Sequence, residues 1–171
     1  MMPRRKRQRG VAMVEFALAG VASIFLLICT FHLSMAMWNY HSIANAAHET
    51  GRYLSVKGIN CIKPGNSCKV TVGNIAAKFK YYAIGIPDDQ VNITLTTDSG
   101  ASTPCSPLSS CLSNTTVWPP GTNFDNDIGK KVTVSAIYRF RSPLLFFWPG
   151  SGAVNFGQVW LPANSTTTII Y

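Results

Sequence analysis

RRKRQRGVAMVEFALAGVASIFLLICTFHLSMAM, residues 4 to 37, decides how this chain is built. Basic residues crowd the stretch before Gly10, and from Phe16 to Met37 there is no Lys, Arg, Asp or Glu. A helix over that run, rising about 1.5 Å per residue, is long enough to cross a hydrocarbon core of about 30 Å. One acid, Glu15, stands at its entrance. A carboxylate at the centre of a spanning helix costs about 2.5–3.5 kcal/mol, and less toward the interface, so Glu15 reads as a functional group that needs a cation. A new amino terminus at Val11, created by cutting after Gly10 and presented by a neighbouring copy, is one such cation. The other is internal, because positions 11 and 15 are four apart on one helix.

Charge and hydropathy fix the expected orientation. Arg4, Arg5, Lys6, Arg7 and Arg9 are five of the 15 basic residues, and removing them takes the formal charge from +8 to +3, ten bases against seven acids. Clustered beside an apolar span, they hold the amino terminus in the cytoplasm by the positive-inside rule. A nucleic-acid arm is the competing reading. The arm abuts a membrane segment with no aromatic or groove-reading motif beside it, so nucleic acid is not an expected partner. A secretory signal cut near Ala44 to Ala47 is also disfavoured, since its apolar region would be shorter. Trp38 and Tyr40 instead stand where an aromatic belt meets the outer interface.

The helical pattern runs on past that interface. Ile43, Ala47, Thr50 and Leu54 recur at three-to-four spacing, and no proline occurs before Pro64. The spacing predicts one helix from about Val14 to Val56, with Gly58 as its stop. The expected organisation is a basic leader at 1–10, a long helix at 11–57 that spans the membrane over about 16–38, and an outer α+β domain at 58–171. A chain of 171 residues, 47% of them hydrophobic, can supply one span and one modest core.

Arg9, Gly10, Val14, Glu15, Phe16, Ala17 and Leu18, in that order, resemble the amino-terminal signature RGxxxVEFAL of the TadE-like minor pilins, or pseudopilins, of Flp/Tad type IV pilus systems. The stretch AAHETGRYLSVKG, residues 46 to 58, is similar to the segment where that family's long helix ends. The resemblance implies cleavage after Gly10 by a prepilin peptidase, which leaves Val11 first and Glu15 at the fifth mature position. It implies assembly through Glu15 and Phe16, with other pilins or pseudopilins, an inner-membrane pilus assembly platform and membrane lipid as partners. No cofactor and no enzymatic activity are expected. An uncleaved single-pass scaffold of a pilus or secretion machine is the alternative of the same shape, and a soluble secreted binding domain the alternative of another class.

Beyond the long helix the patterns are shorter. Val72 to Ile84 reads as a second amphipathic helix, with Ile75, Phe79 and Tyr82 on one side and Lys78 off it. Val91, Ile93 and Leu95 alternate with Asn92, Thr94 and Thr96 as a half-buried strand does. Lys131 to Arg141 reads as the longest strand, with Val132, Val134, Ala136, Tyr138 and Phe140 on one face, and Thr166 to Tyr171 as the last. The expected fold class is α+β: a long transmembrane, pilin-type helix packed on a small antiparallel sheet, with a second short helix. Residues 98 to 128, rich in Ser, Thr, Pro, Asn and Gly, read as a long surface loop. SPLLFFWPG, residues 142 to 150, reads as an irregular apolar segment that is either core or a docking patch for a subunit or the membrane surface.

Four of the five cysteines lie outside the span as two close pairs, Cys61 with Cys68 and Cys105 with Cys111. Four cysteines permit three connectivities, and the local one closes two short loops. That pairing implies an oxidising compartment such as the periplasm. A zinc site is the alternative, with gaps of six and five residues where two to four are usual. Cys29, amid Leu27, Ile28 and Phe31, reads as a small apolar residue. His32, His41 and His48 are spaced nine and seven apart, unlike an i, i+4 ligand pair, and read as packing or interface residues, so no metal is expected. Asp125 and Asp127 in NFDND share part of a calcium loop but lack its twelve-residue ligand series. No catalytic constellation emerges.

Overall fold

The computed structural model describes residues 9–58, 68–120, 124–141 and 158–170. The expectations for residues 1–8 of the leader, for Cys61 and for the apolar segment 142–150 fall on residues outside these. In chain order the elements are α1 (Arg9–Ser55), α2 (Val72–Tyr82), β1 (Val91–Thr97), β2 (Ser102–Cys105), a short 3-10 turn (Leu108–Cys111), β3 (Lys131–Arg141) and β4 (Gln158–Thr168). The chain divides into two units, residues up to Ala36 and residues from Met37 onward. The fold is α+β: a long apolar helix, a second short helix and one antiparallel sheet.

In the first unit the helix presents its large apolar side chains uncovered by any described residue. Phe16, Leu18, Val21, Leu27 and Phe31 are all exposed, with Phe16 at 81%. Every backbone N–H past the first turn is satisfied within the helix, as a segment in hydrocarbon requires. Its hydroxyls follow the same rule. Ser23 donates to the carbonyl of Ala19, Thr30 to that of Leu26 and Ser34 to that of Thr30, at 2.8–2.9 Å. α1 is the one helix among the described residues long and apolar enough to cross a membrane.

The second unit builds the core. Its sheet has the order β2-β1-β3-β4, antiparallel throughout. β3 alternates buried and open positions along its length, with Val132, Val134, Ala136, Tyr138 and Phe140 turned inward as the sequence pattern predicts. β1 buries Val91, Ile93, Leu95 and Thr97 on the same face. From the helices come Ile43, Ala46, Ala47 and Leu54 of α1 and Val72, Ile75, Ala76 and Phe79 of α2, all with at most 1% of their surface exposed. At about 25 cal/mol per Å² of apolar surface removed from water, burial of these aliphatic and aromatic side chains supplies the main stabilising term.

α1 starts at Arg9 rather than at about Val14, and three boundaries in the second unit also differ from the sequence reading. The last strand begins eight residues earlier than Thr166, at Gln158, and runs through Pro162. Proline cannot donate to a ladder, and it is tolerated here because β4 is an edge strand. The long loop contains a second edge strand, β2, whose Cys105 pairs in register with Ile93. α2 stops at Tyr82, two residues short, and Tyr82 is only half-buried while Ala76 joins the core.

Two glycines are required by close approach. A Cβ on Gly51 would stand 2.9 Å from Ser165 Oγ and 3.1 Å from Thr167 Cγ2, so α1 and β4 meet where this helix has no side chain. A Cβ on Gly73 would stand 2.7 and 2.8 Å from the carbonyl oxygens of Leu112 and Asn114, and the Gly73 N–H donates to Asn114 at 2.8 Å. Those are backbone atoms, which cannot turn aside. Gly73→Ala should therefore cost about 1–3 kcal/mol as an overpacking substitution, read as a lower denaturation midpoint of the detergent-extracted protein. Gly20→Ala, which faces open space, should cost none.

Candidate assembly site on the amino-terminal helix

Gly10, Val11, Glu15 and Phe16 all lie in the first turns of α1. Helical spacing puts Val11 and Glu15 on one face, one turn apart. Glu15 is exposed, and none of the ion pairs among the described residues involves it. Around it Val14 and Leu18 are exposed too, and Val14, Ala17, Leu18, Val21, Ala22 and Phe25 line a shallow apolar groove beside it. An acceptor-only carboxylate on an apolar shaft can do one thing well: accept a cation brought by a surface that also covers the groove.

The far end of α1 is held by different chemistry. Glu49 pairs with Arg52 at 3.4 Å, and Tyr53 lies under the ammonium groups of Lys57 and Lys78, at 5.4 and 5.7 Å from the ring centre. Thr167 Oγ1 donates to the carbonyl of Gly51, and the N–H of Ile170 to that of Ser55. These contacts fix the Gly-Arg-Tyr segment against the sheet and α2.

Cys105 and Cys111 are joined by a disulfide with Cα atoms 5.6 Å apart, tying β2 to the 3-10 turn. Cys68 is disulfide-bonded as well, and its expected partner Cys61 lies outside the described residues. Cys29 is free and half-buried. His32 lies edge-on to Phe31, and His48 approaches Glu49 at 3.7 Å. The three histidines are not brought together.

Asp125, which the sequence places in a partial calcium loop, is fully buried and accepts from Thr97 Oγ1 at 2.9 Å, from the Ser99 N–H at 3.2 Å and from Ser99 Oγ. It clamps the turn between β1 and β2 from 26 to 28 residues away, a role with no local signature in the sequence. Burial pushes its pKa up, but the Ser99 and Thr97 hydrogen bonds and the Lys130 charge outweigh that and hold the carboxyl below its ordinary value. A depressed folded pKa contributes stability that is complete above the unfolded value of about 3.9 and is lost as pH falls through the folded value. Asp125→Asn should lower stability by about 1–3 kcal/mol at pH 7 by leaving buried donors mismatched. The gap from the parent should shrink as pH drops below about 3.9, which paired denaturation curves would reveal.

The described residues thus combine an exposed carboxylate near the start of a spanning-length apolar helix with an α+β unit built from Met37 onward. The chain's amino-terminal segment matches a family: residues 10–52 fit the model of TadE-like proteins, 43 of 171 residues. The match takes in Gly10, Val11, Glu15 and Phe16 at one end and the Gly51-Arg52 contact with the sheet at the other. No curated protein and no solved structure matches the chain. The matched segment lies within the helix that is long and apolar enough to cross a membrane.

Proposed function

We propose that this protein is a minor pilin or pseudopilin of a Tad pilus, inserted in the inner membrane with its amino terminus in the cytoplasm and its disulfide-bearing domain in the periplasm. A prepilin peptidase cuts it after Gly10. The new ammonium at Val11 of one subunit then meets Glu15 of the next as the two apolar shafts pack on the assembly platform.

The observation that carries this reading is Glu15 itself: an exposed carboxylate five positions after Gly10, inside the TadE-like match, on a helix whose neighbouring side chains are apolar and uncovered. Water-facing function would not need the apolar shaft, and simple anchoring would not need the acid. In a medium of low dielectric the pair is strong once formed, and removal of one partner leaves a buried charge at a cost of about 3–5 kcal/mol. Register follows from that cost. Subunits can slide past one another along an apolar surface, but the Glu15 carboxylate is satisfied at one offset only. The helix crosses the scissile bond, and Gly10, the poorest helix former there apart from proline, lowers the cost of unwinding it in a peptidase cleft by about 1 kcal/mol relative to Ala.

Intact mass and amino-terminal sequencing of membrane-extracted protein, from cells with and without the peptidase, test the processing. A start at Val11 that depends on the peptidase is expected. A start at Met1 in both would make the protein an uncleaved scaffold, and a start beyond Ala44 would remove it from the pilin class. Glu15→Leu should be inserted and stably folded yet fail to enter pilus or pilin complexes in shear and crosslinking assays. Normal assembly of that variant would sink the charge-pairing mechanism.

A further inference from the structure

We propose that the end of the outer unit nearest Trp38 is a lipid-docking rim, in which the Ile84 turn enters the headgroup layer while Arg139, Arg141 and Trp160 engage headgroup phosphates of the same bilayer. This rests on the reading above that α1 spans the membrane up to about Trp38.

Two independent contacts fix the heights of these groups along α1. Ser42 Oγ donates to the carbonyl of Ile84 at 3.1 Å, so the turn that ends α2 lies one helical turn beyond Trp38, about 6 Å. Headgroup regions extend a bilayer from about 30 Å of hydrocarbon to about 40–45 Å, or about 5–7 Å on each side. A turn at that height is therefore within the headgroup layer. It is also apolar where water would have been the alternative: Ile84 is 68% exposed and Tyr81 72%, beside Trp38 at 67%. Trp and Tyr favour this zone because one end of each ring system is apolar and the other polar.

The second contact concerns β4. Thr167 touches α1 at Gly51 and Ile170 touches it at Ser55, so three residues of chain, about 10 Å, climb four residues of helix, about 6 Å. Followed back at that pitch, the roughly 23 Å from Thr167 to Trp160 descends about 14 Å, to about the level of Ser42. Trp160 and Ile84 thus share a height. In register with Trp160 is Arg139, and Gln158 is opposite Arg141. Together with Asp89, Gln90 and Asn92, the two arginines and Trp160 line a pocket of about 230 Å³.

The chemistry of that pocket selects a headgroup. Neither guanidinium forms an ion pair with a described residue, and both present the planar fork that matches a phosphate. Trp160 is 55% exposed beside them. Asp89 can accept from the ammonium of a zwitterionic headgroup. Between Arg139 and Lys131, which stands alone at the far end, the same sheet face carries Ile137, Ser135 and Thr133, opposite Pro162, Asn164 and Thr166, all uncharged. A nucleic acid would want a basic stripe along the face rather than two cations at its lower edge.

The test uses the full chain, with Cys29→Ala, in vesicles of zwitterionic phospholipid containing an anionic fraction. A fluorophore is placed on a new cysteine at Ile84→Cys or Gln158→Cys, with Ala101→Cys as the distal control in the turn after β1 and Leu27→Cys as the marker of the span. Lipids spin-labelled at the headgroup should quench positions 84 and 158 several-fold more than 101, while deep-chain spin labels quench 27. Equal, weak quenching at 84, 158 and 101 with 27 quenched would overturn the rim and leave the spanning reading intact. No quenching at 27 would overturn both. Protection at 84 that rises with protein density and ignores the lipid label would assign the surface to a second subunit and overturn the lipid assignment. In Arg139→Glu/Arg141→Glu, quenching at 158 should fall while that at 27 holds, and an unchanged value at 158 would overturn the role given to the guanidiniums.

Discussion

The closeness of α1 to β4 at Gly51 is the constraint on which the outer unit depends. With no side chain on the helix there, Ser165 and Thr167 approach its backbone, and Thr167 can donate its hydroxyl to the Gly51 carbonyl. That carbonyl belongs to the last turns of the helix, where intrahelical acceptors begin to run out of partners. The sheet supplies one through Thr167 and another through the Ile170 N–H to Ser55. The helix end is thus capped by an edge strand of the sheet it covers, and the sheet's edge is in turn covered by the helix, which removes part of an open hydrogen-bonding rim.

From that contact the rest of the outer unit is largely determined. Once β4 is placed, its eleven-residue pairing with β3 sets the register of the buried face from Val132 to Phe140. β1 follows through its pairing with β3, and β2 through β1. A slip of one residue anywhere would send five inward side chains of β3 to the outside, so the register is strongly fixed. The second edge, β2, is short and tied by Cys105–Cys111 to the 3-10 turn, and that region reaches α2 where Gly73 leaves room for the carbonyls of Leu112 and Asn114. A glycine on a helix thus permits the close approach at β4 directly, and at the 3-10 turn beside β2.

What could be read from sequence follows from how local the signal was. α1 was legible because its period and apolar run are continuous, and β1 and β3 because their two faces see different media, core and water. The start of β4 was not, since QVWLPANS carries a proline and no alternation, and only its edge position makes it a strand. β2 was hidden in a Ser- and Pro-rich stretch for a similar reason: four residues paired on one side need little pattern. Asp125 was misleading by proximity to Asp127, because its partners Thr97 and Ser99 are brought to it only by the fold. Gly10 and Glu15 were legible as a spacing, and the structure adds that the carboxylate is exposed among uncovered apolar side chains. Ile84, Arg139 and Trp160, grouped in the proposed rim, come from the turn after α2 and from two strands and share no signal in the sequence.

α1 answers to two solvents, and its composition changes where they change. Before Met37 it satisfies its hydroxyls internally and exposes large apolar side chains, which is stable in lipid and unstable in water. After Tyr40 its buried face narrows to Ile43, Ala46, Ala47, Thr50, Gly51 and Leu54, small and aliphatic, while Glu49 and Arg52 take the other side. A helix of this kind has no reason to leave the membrane unless another surface replaces lipid along its first half. Under the pairing proposed above Glu15 supplies that reason, because its exposed carboxylate is a group that lipid does not satisfy and a neighbouring helix with a cationic end would. In that proposal the same acid that makes insertion less favourable makes association of the inserted helices more favourable, and assembly would draw on the difference.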